Sequence, residues 1–315
     1  MAARRRTWFR LRLVAYVVIV AVLFLVRGGV DRADLRRLLD TADGPEELAV
    51  AGRDLAPRLV DHLVAEYRDD YPDTPVRVTG GGTNHALEAL SRDETGVAFL
   101  YRPPTPEEQS LFRAAHGDSA VVVPVAVGAA VLLAHPDVAP PALTPDELRS
   151  ALAGAASPVE RIYLADPNQG LWDAVRARLD LPREPLAGSP VVFLRDETVV
   201  ASAVAQDAGA WGLVSSLGPA RPDSAGGYPG AVVVPLRATP GADPAPPDDA
   251  HVARGDYPLY HRLYAATRGN GGIEAGKFVT YLASPRGLRQ VARAGVVPAR
   301  LVAREIHLTR RPVEP

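Results

Sequence analysis

The sequence predicts an exported α/β protein that follows an N-terminal membrane segment. Three observations carry this reading. Residues 13–26, LVAYVVIVAVLFLV, are uninterruptedly apolar, and Arg4, Arg5, Arg6, Arg10 and Arg12 stand ahead of them without an acid. Beyond residue 45, short β-type runs alternate with helical patterns, the order that builds a sheet covered by helices. A glycine-rich turn, GGGTN (80–84), joins one of those strands to the helix after it.

The arginine flank holds its end of the apolar segment in the cytoplasm, so the chain beyond about residue 30 is expected outside. The run has 14 residues, fewer than the roughly 20 that span a bilayer and within the size of a signal-peptide core. Trp8 and Phe9 extend it, with Arg10 and Arg12 snorkelling to the headgroups. RGGVDRAD follows, with no A-x-A site. A retained anchor is therefore favoured over a cleaved signal, with Val26-x-Gly28 the available cleavage position. The absence of cysteine excludes a lipoprotein anchor, disulfides and thiolate chemistry. The organisation expected is a basic flank and anchor over 1–30, a juxtamembrane segment over 31–45, and an extracytoplasmic body, giving a single-pass protein of the cell membrane.

The formal net charge of the chain is −2, and its first 30 residues hold six arginines and no acids, so the exported part is acidic. That argues against nucleic acid as a partner and gives no long-range steering to an anion. An anionic ligand would need a local cradle.

The body begins with ELAVA (47–51) as a strand. Pro57 opens a helix with Leu59, Val60, Leu63, Val64 and Tyr67 on one face. PVRVT (75–79) alternates as a strand, Ala86–Leu90 is helical, and GVAFLY (96–101) is a strand. This βαβαβ order predicts a parallel sheet. The run 120–136, broken by Pro124 and Gly128, is a long β segment able to cross between two lobes. Thr144, Pro145 and Glu147 form a capping box, and Gly154 stops that helix. RIYLA (161–165), VVFL (191–194), AWGLV (210–214) and AVVVPL (231–236) read as strands. Helices are read over Leu171–Leu179 and Glu197–Gln206. Residues 238–250 are Pro/Ala/Asp-rich and read as a loop. YPLYHRLYAAT (257–267) is β-like, Ile273–Leu282 is helical, and Ser284 and Pro285 cap a last helix that stops at Gly295.

GGGTN is the sharpest local motif. Glycines let backbone amides point into one concavity beside a helix N-terminus, which suits phosphate, sulfate or carboxylate. It also serves as an ordinary tight turn, and no Gly-Lys-Ser/Thr follows to make it a P-loop. AGRDLAP (51–57) and DPNQG (166–170) are turns of the same kind. Three such turns converge where an α/β protein binds ligand, at its strand ends. The seven histidines lack metal-ligand spacing, and of them His85 stands in a candidate turn. No G-x-S-x-G elbow is present. No enzyme constellation emerges, and no metal or cofactor is expected.

The order of these segments over roughly 45–305 resembles the solute-binding proteins of phosphate ABC transporters. LAVAGRDLAPRLVDHLVAEY resembles that family's first strand, turn and helix; VRVTGGGTNHALEAL its second turn; VAFLYRP its strand ending in Ser-Arg-Pro; and LTPDELRSALAG its Leu-Ser-x-x-Glu-Leu segment. The best match is YPLYHRLYAAT with GKFVTYLASPRGLRQVARAGVVPAR. The resemblance implies a two-lobe periplasmic-binding-protein-like α/β fold, with 46–125 and 250–305 in lobe I and 126–240 in lobe II. It implies a hinged cleft without covalent chemistry, a small anion such as phosphate as ligand, and an ABC permease as partner. Carried over residue by residue, it places Arg53, Gly82, Thr83, Asn84, Arg102, Asn168, Gln169 and Gly170 on the ligand turns. The chain departs from the family in three places. Asp-Pro-Asn-Gln-Gly replaces an arginine- and hydroxyl-rich third turn. The family's buried acid falls near the apolar Val97. Arg53 and Asp54 replace the hydroxyls of the first turn. The alternative reading is therefore a sensor or interaction domain that keeps the scaffold without phosphate binding.

Overall fold

The computed structural model describes residues 46–155, 159–220, 227–269 and 271–300. The expected anchor and juxtamembrane segment lie outside these residues. Among the described residues, no helix is long and apolar enough to cross a membrane.

The first βαβαβ unit runs β1 (Leu48–Ala51), α1 (Pro57–Asp70), β2 (Val76–Val78), α2 (Thr83–Ser91), β3 (Val97–Leu100). α1 starts at Pro57, where a missing N–H costs nothing, and buries the five apolar residues its spacing predicts. After it come α3 (Pro106–His116), β4 (Ala120–Ala134) and α4 (Pro145–Leu152). The capping box of α4 is present in both directions, with Thr144 and Glu147 each accepting from the other's backbone. The second unit is β5 (Arg161–Ala165), α5 (Leu171–Arg178), β6 (Val191–Leu194), α6 (Glu197–Gln206), β7 (Ala210–Ser215). The chain continues through β8 (Val232–Val234), α7 (Asp249–Arg254), β9 (Tyr260–Arg268), α8 (Ile273–Ala283), α9 (Pro285–Arg293) and β10 (Val297–Pro298). α7 takes up the end of the stretch expected to be loop.

The strand order is β2-β1-β3-β9-β4-β7-β5-β6. β1 lies parallel to β2 and β3, and β5 lies parallel to β6 and β7. The joining strands β9 and β4 run antiparallel, so the expectation of a parallel sheet holds within each βαβαβ unit and fails between them. β4 makes the crossing. Its residues 120–129 pair with β9, and 130–134 pair with β7 and β8. The β4–β9 register slips between Pro124 and Ala126, because proline has no N–H to continue the ladder. At the bulge the Val125 carbonyl accepts from the Ala299 amide at 3.1 Å, which ties β10 there.

Each lobe has apolar packing under its helices. Tyr67 of α1 meets Phe278 and Tyr281 of α8 edge-on at 4.9 and 5.4 Å between ring centres. Tyr257, fully buried, donates its hydroxyl to the Ala130 carbonyl at 2.8 Å, where β4 changes partners. The crossing is thus pinned by a hydrogen bond shielded from water.

Candidate functional site

The two units put the C-terminal ends of their strands beside one another, where α/β sheets present their ligand turns. A cavity of about 350 Å³ opens there. Lobe I contributes Arg53, Asp54 and Tyr101 to it, and lobe II contributes Gln169, Arg195, Asp196, Glu197 and Thr198.

At the glycine-rich turn a backbone amide meets a carboxylate of the chain itself. The Gly81 amide donates to Asp54 Oδ2 at 2.8 Å. A Cβ on Gly80 would lie 2.3 Å from the same oxygen, so the residue must be small for Asp54 to seat. The other turns are capped in the same way. Asp166 accepts from the Asn168 amide at 2.8 Å, and Asp196 accepts from the Val199 amide at 3.0 Å. One backbone donor in each of these three turns is thus engaged by an aspartate.

The residues carried over from the resemblance fall into two groups. Arg53 lines the cavity but turns to Asp61, to which its Nε and Nη2 donate at 2.6 Å each. The other seven form a seam between the lobes, and Gln169 among them also lines the cavity. Thr83, fully buried, donates to the Gln169 carbonyl and accepts from the Tyr101 amide, both at 3.0 Å. Asn84 donates to Asn168 Oδ1 at 3.0 Å. Arg102 Nε donates to Asp173 Oδ2 at 2.9 Å, while its Nη atoms hold Glu108 at 2.6 and 2.9 Å and Asn84 Oδ1 at 2.9 Å. Burial pushes the Glu108 carboxyl up, but the Arg102 hydrogen bonds overcome this and hold it below the usual carboxylate range. Gly82 and Gly170 let the backbones meet. A Cβ on Gly82 would lie 2.5 Å from the Asn168 carbonyl oxygen, and one on Gly170 would lie 2.3 Å from Thr83 Oγ1. His85 covers Gly81, with its Cδ2 2.3 Å from where a Cβ would stand.

Sequence reasoning misses the polar groups at the centre. Glu197, the first residue of α6, is buried, and its Oε2 has no partner among the described residues. Burial pushes its carboxyl up to about 8, so it is protonated near neutrality. A Cβ on Gly218 would lie 1.8 Å from Oε2, so glycine is required to make room for the acid. Beside it, the Tyr101 hydroxyl reaches the Leu55 carbonyl and also Ser215 Oγ at 2.9 Å. Ser215 Oγ in turn lies 2.9 Å from His261 Nε2. Burial lowers His261 to about 4, leaving it neutral. In the sequence, Glu197 reads as an ordinary first-turn acid of a helix, and no local signal marks it as buried. Arg195 is exposed and donates to Asp196 at 2.8 Å.

The cavity therefore offers two guanidiniums, each already paired, and three carboxyl groups. This arrangement can bind a small polar solute by hydrogen bonds and ion pairing. Among the described residues, no group of three or more His, Cys, Asp or Glu could hold a metal ion.

Residues 40–286 match the family model of the PBP superfamily domain, and the chain belongs to that superfamily. It is similar to a Clostridium perfringens protein solved with bound phosphate and described as a phosphate ABC transporter substrate-binding protein. The identity is 16%, 81% of this chain and 100% of that one are covered, and the TM-score is 0.62. It is also similar to an ABC-type phosphate transport receptor from Vibrio cholerae, at 16% identity, 80% and 99% coverage and a TM-score of 0.59. A full-length OxyR variant from Pseudomonas aeruginosa is similar at 15% identity, 84% and 75% coverage and a TM-score of 0.51. At these identities the likeness shows the two-lobe fold alone. No curated protein matches the chain.

Proposed function

We propose that this chain is an extracytoplasmic, membrane-tethered solute-binding protein for a small anion, with phosphate the first candidate. It would hand its ligand to an ABC-type permease and perform no covalent chemistry. The lobe boundaries proposed with it are 46–125 with 250–305, and 126–240. The observation that carries the reading is the cavity at the strand ends, lined by Arg53 from one lobe and Arg195 from the other. Guanidinium binds oxyanions in a bidentate fork. Arg53 must exchange its Asp61 carboxylate for the ligand, and Arg195 is exposed and held to Asp196 through Nε, so weak binding is expected.

Calorimetry of the full-length protein in detergent with inorganic phosphate tests this. Measurable binding that Arg53→Ala together with Arg195→Ala abolishes supports it. Tight binding unaffected by that pair removes the site.

A specific observation favours a second reading, a sensor or interaction domain on the same scaffold. Thr83 and Asn84 bond to Gln169 and Asn168 across the seam, and Arg102 bonds to Asn84 beside it and to Asp173 across it. No heat with any anion tested, from protein whose fold is intact, selects that reading.

A further inference from the structure

In a binding protein that closes on its ligand, the ligand supplies the bonds that favour the closed form. In this chain the protein supplies bonds of that kind itself. Arg102, at the end of β3, reaches Asp173 on α5, and both side chains are 14% exposed. Asp173 is held for that contact by Arg176 Nε, which donates to its other oxygen at 2.8 Å. The guanidinium is oriented from behind by Glu108 and from the side by Asn84, so little side-chain freedom remains to be lost on closing. Thr83 and Asn84 bond directly to the DPNQG turn. The surfaces also match in shape, because Gly82 and Gly170 leave the room that the opposite turn occupies.

We propose that the Arg102–Asp173 clasp, with the Thr83–Gln169 and Asn84–Asn168 bonds, closes the two lobes without a ligand, so that a solute enters the cavity when this seam opens. The clasp acts on the equilibrium between open and closed lobes, whatever the solute is. A ligand would then be selected by the open form, and its apparent affinity would fall by the fraction of protein that is closed. Seam residues would set how fast solute exchanges and would contribute little to which solute is chosen.

The chain has no cysteine, so a spin-label pair can be placed cleanly. Ala114→Cys on α3 and Ala177→Cys on α5 are both exposed and report the distance between lobes by pulsed electron resonance. In full-length protein without added ligand, one short distance is expected. Arg102→Ala should lower the closed-to-open ratio at least about tenfold, or about 1.4 kcal/mol. Gly82→Ala is the second variant. Its φ of −86° accepts a side chain, and its methyl group would press on the Asn168 carbonyl across the seam, wedging the lobes apart while each keeps its circular dichroism. A long distance in unliganded protein that saturating inorganic phosphate shortens would overturn the proposal. So would a short distance that neither variant moves.

Discussion

The two βαβαβ units repeat one strand order with opposite chemistry in the corresponding turns. β2-β1-β3 in lobe I matches β6-β5-β7 in lobe II, and each inner strand meets an antiparallel neighbour from the crossing pair. The first turn of each unit is a short 3-10 segment, Arg53–Leu55 in one and Pro167–Gln169 in the other. The second turns diverge. Lobe I uses three glycines there and then Thr83, whose hydroxyl is fully bonded. Lobe II uses Arg195, Asp196 and Glu197, and leaves Glu197 Oε2 without a partner among the described residues. The difference shows that topology fixes where a turn lies, while its residues decide whether it serves close backbone approach or holds an ionisable group. Lobe I uses the position to fit against its partner lobe. Lobe II uses it to keep a buried acid at the cavity.

The largest expected effect breaks this comparison at Glu197. Its folded value of about 8 lies above the ordinary 4.5. The neutral acid therefore contributes stability that is fully present below about 4.5 and is lost as pH rises through about 8. The loss has a slope of about 1.4 kcal/mol per pH unit. Glu197→Gln should remove it, so the variant should gain on the wild type as pH rises. His261, with an ordinary value of 6.5 and a folded value of about 4, is half protonated in the unfolded state at pH 6.5, but both proteins carry it, so its contribution cancels in their difference. Chemical denaturation at pH 6.5 and pH 8 reads this difference. Thr83→Val, at the matching place in lobe I, should change stability without changing the slope.

A smaller effect separates contacts within a lobe from contacts across the seam. Gly52 has φ +86° and Gly170 has φ +94°. A left-handed alanine costs on the order of 1–2 kcal/mol at either position. The added methyl of Gly52→Ala would meet the Phe99 carbonyl of its own lobe at 2.5 Å, which no lobe movement relieves. Gly170→Ala would meet Thr83 of the other lobe, which opening does relieve. Thermal melts should therefore show the larger loss for Gly52→Ala. Equal losses would mean that the seam is as rigid as a lobe core.

The smallest effect compares the two capping boxes, Thr105–Glu108 on α3 and Thr144–Glu147 on α4. Thr105→Ala and Thr144→Ala should each cost about 1 kcal/mol in denaturant titrations. A clear inequality would show that one helix bears more of its lobe's packing than the other.

These boxes also show what was legible. The α4 box is read from four residues, because a cap and its partner lie within one turn. The α1 face is read from its periodicity, and its five apolar residues are the ones buried. α3 carries an equally good box but buries Phe112 alone, so it has no apolar stripe for periodicity to find. α7, six residues long, hides behind the prolines of 238–250 for a similar reason.

The sequence by itself determined the local order of strands, helices and turns, and the α/β class. Each of these depends on residues within a few positions of one another. Tertiary structure alone decided what those turns face. Thr83 meets Gln169, Arg102 meets Asp173 and Asp54 meets the Gly81 amide, over separations of 86, 71 and 27 residues. Burial of Glu197 likewise depends on Gly218, brought beside it by the strand that follows α6. A hydrogen bond between turns is set by how two sheets meet, and local sequence carries no record of that meeting.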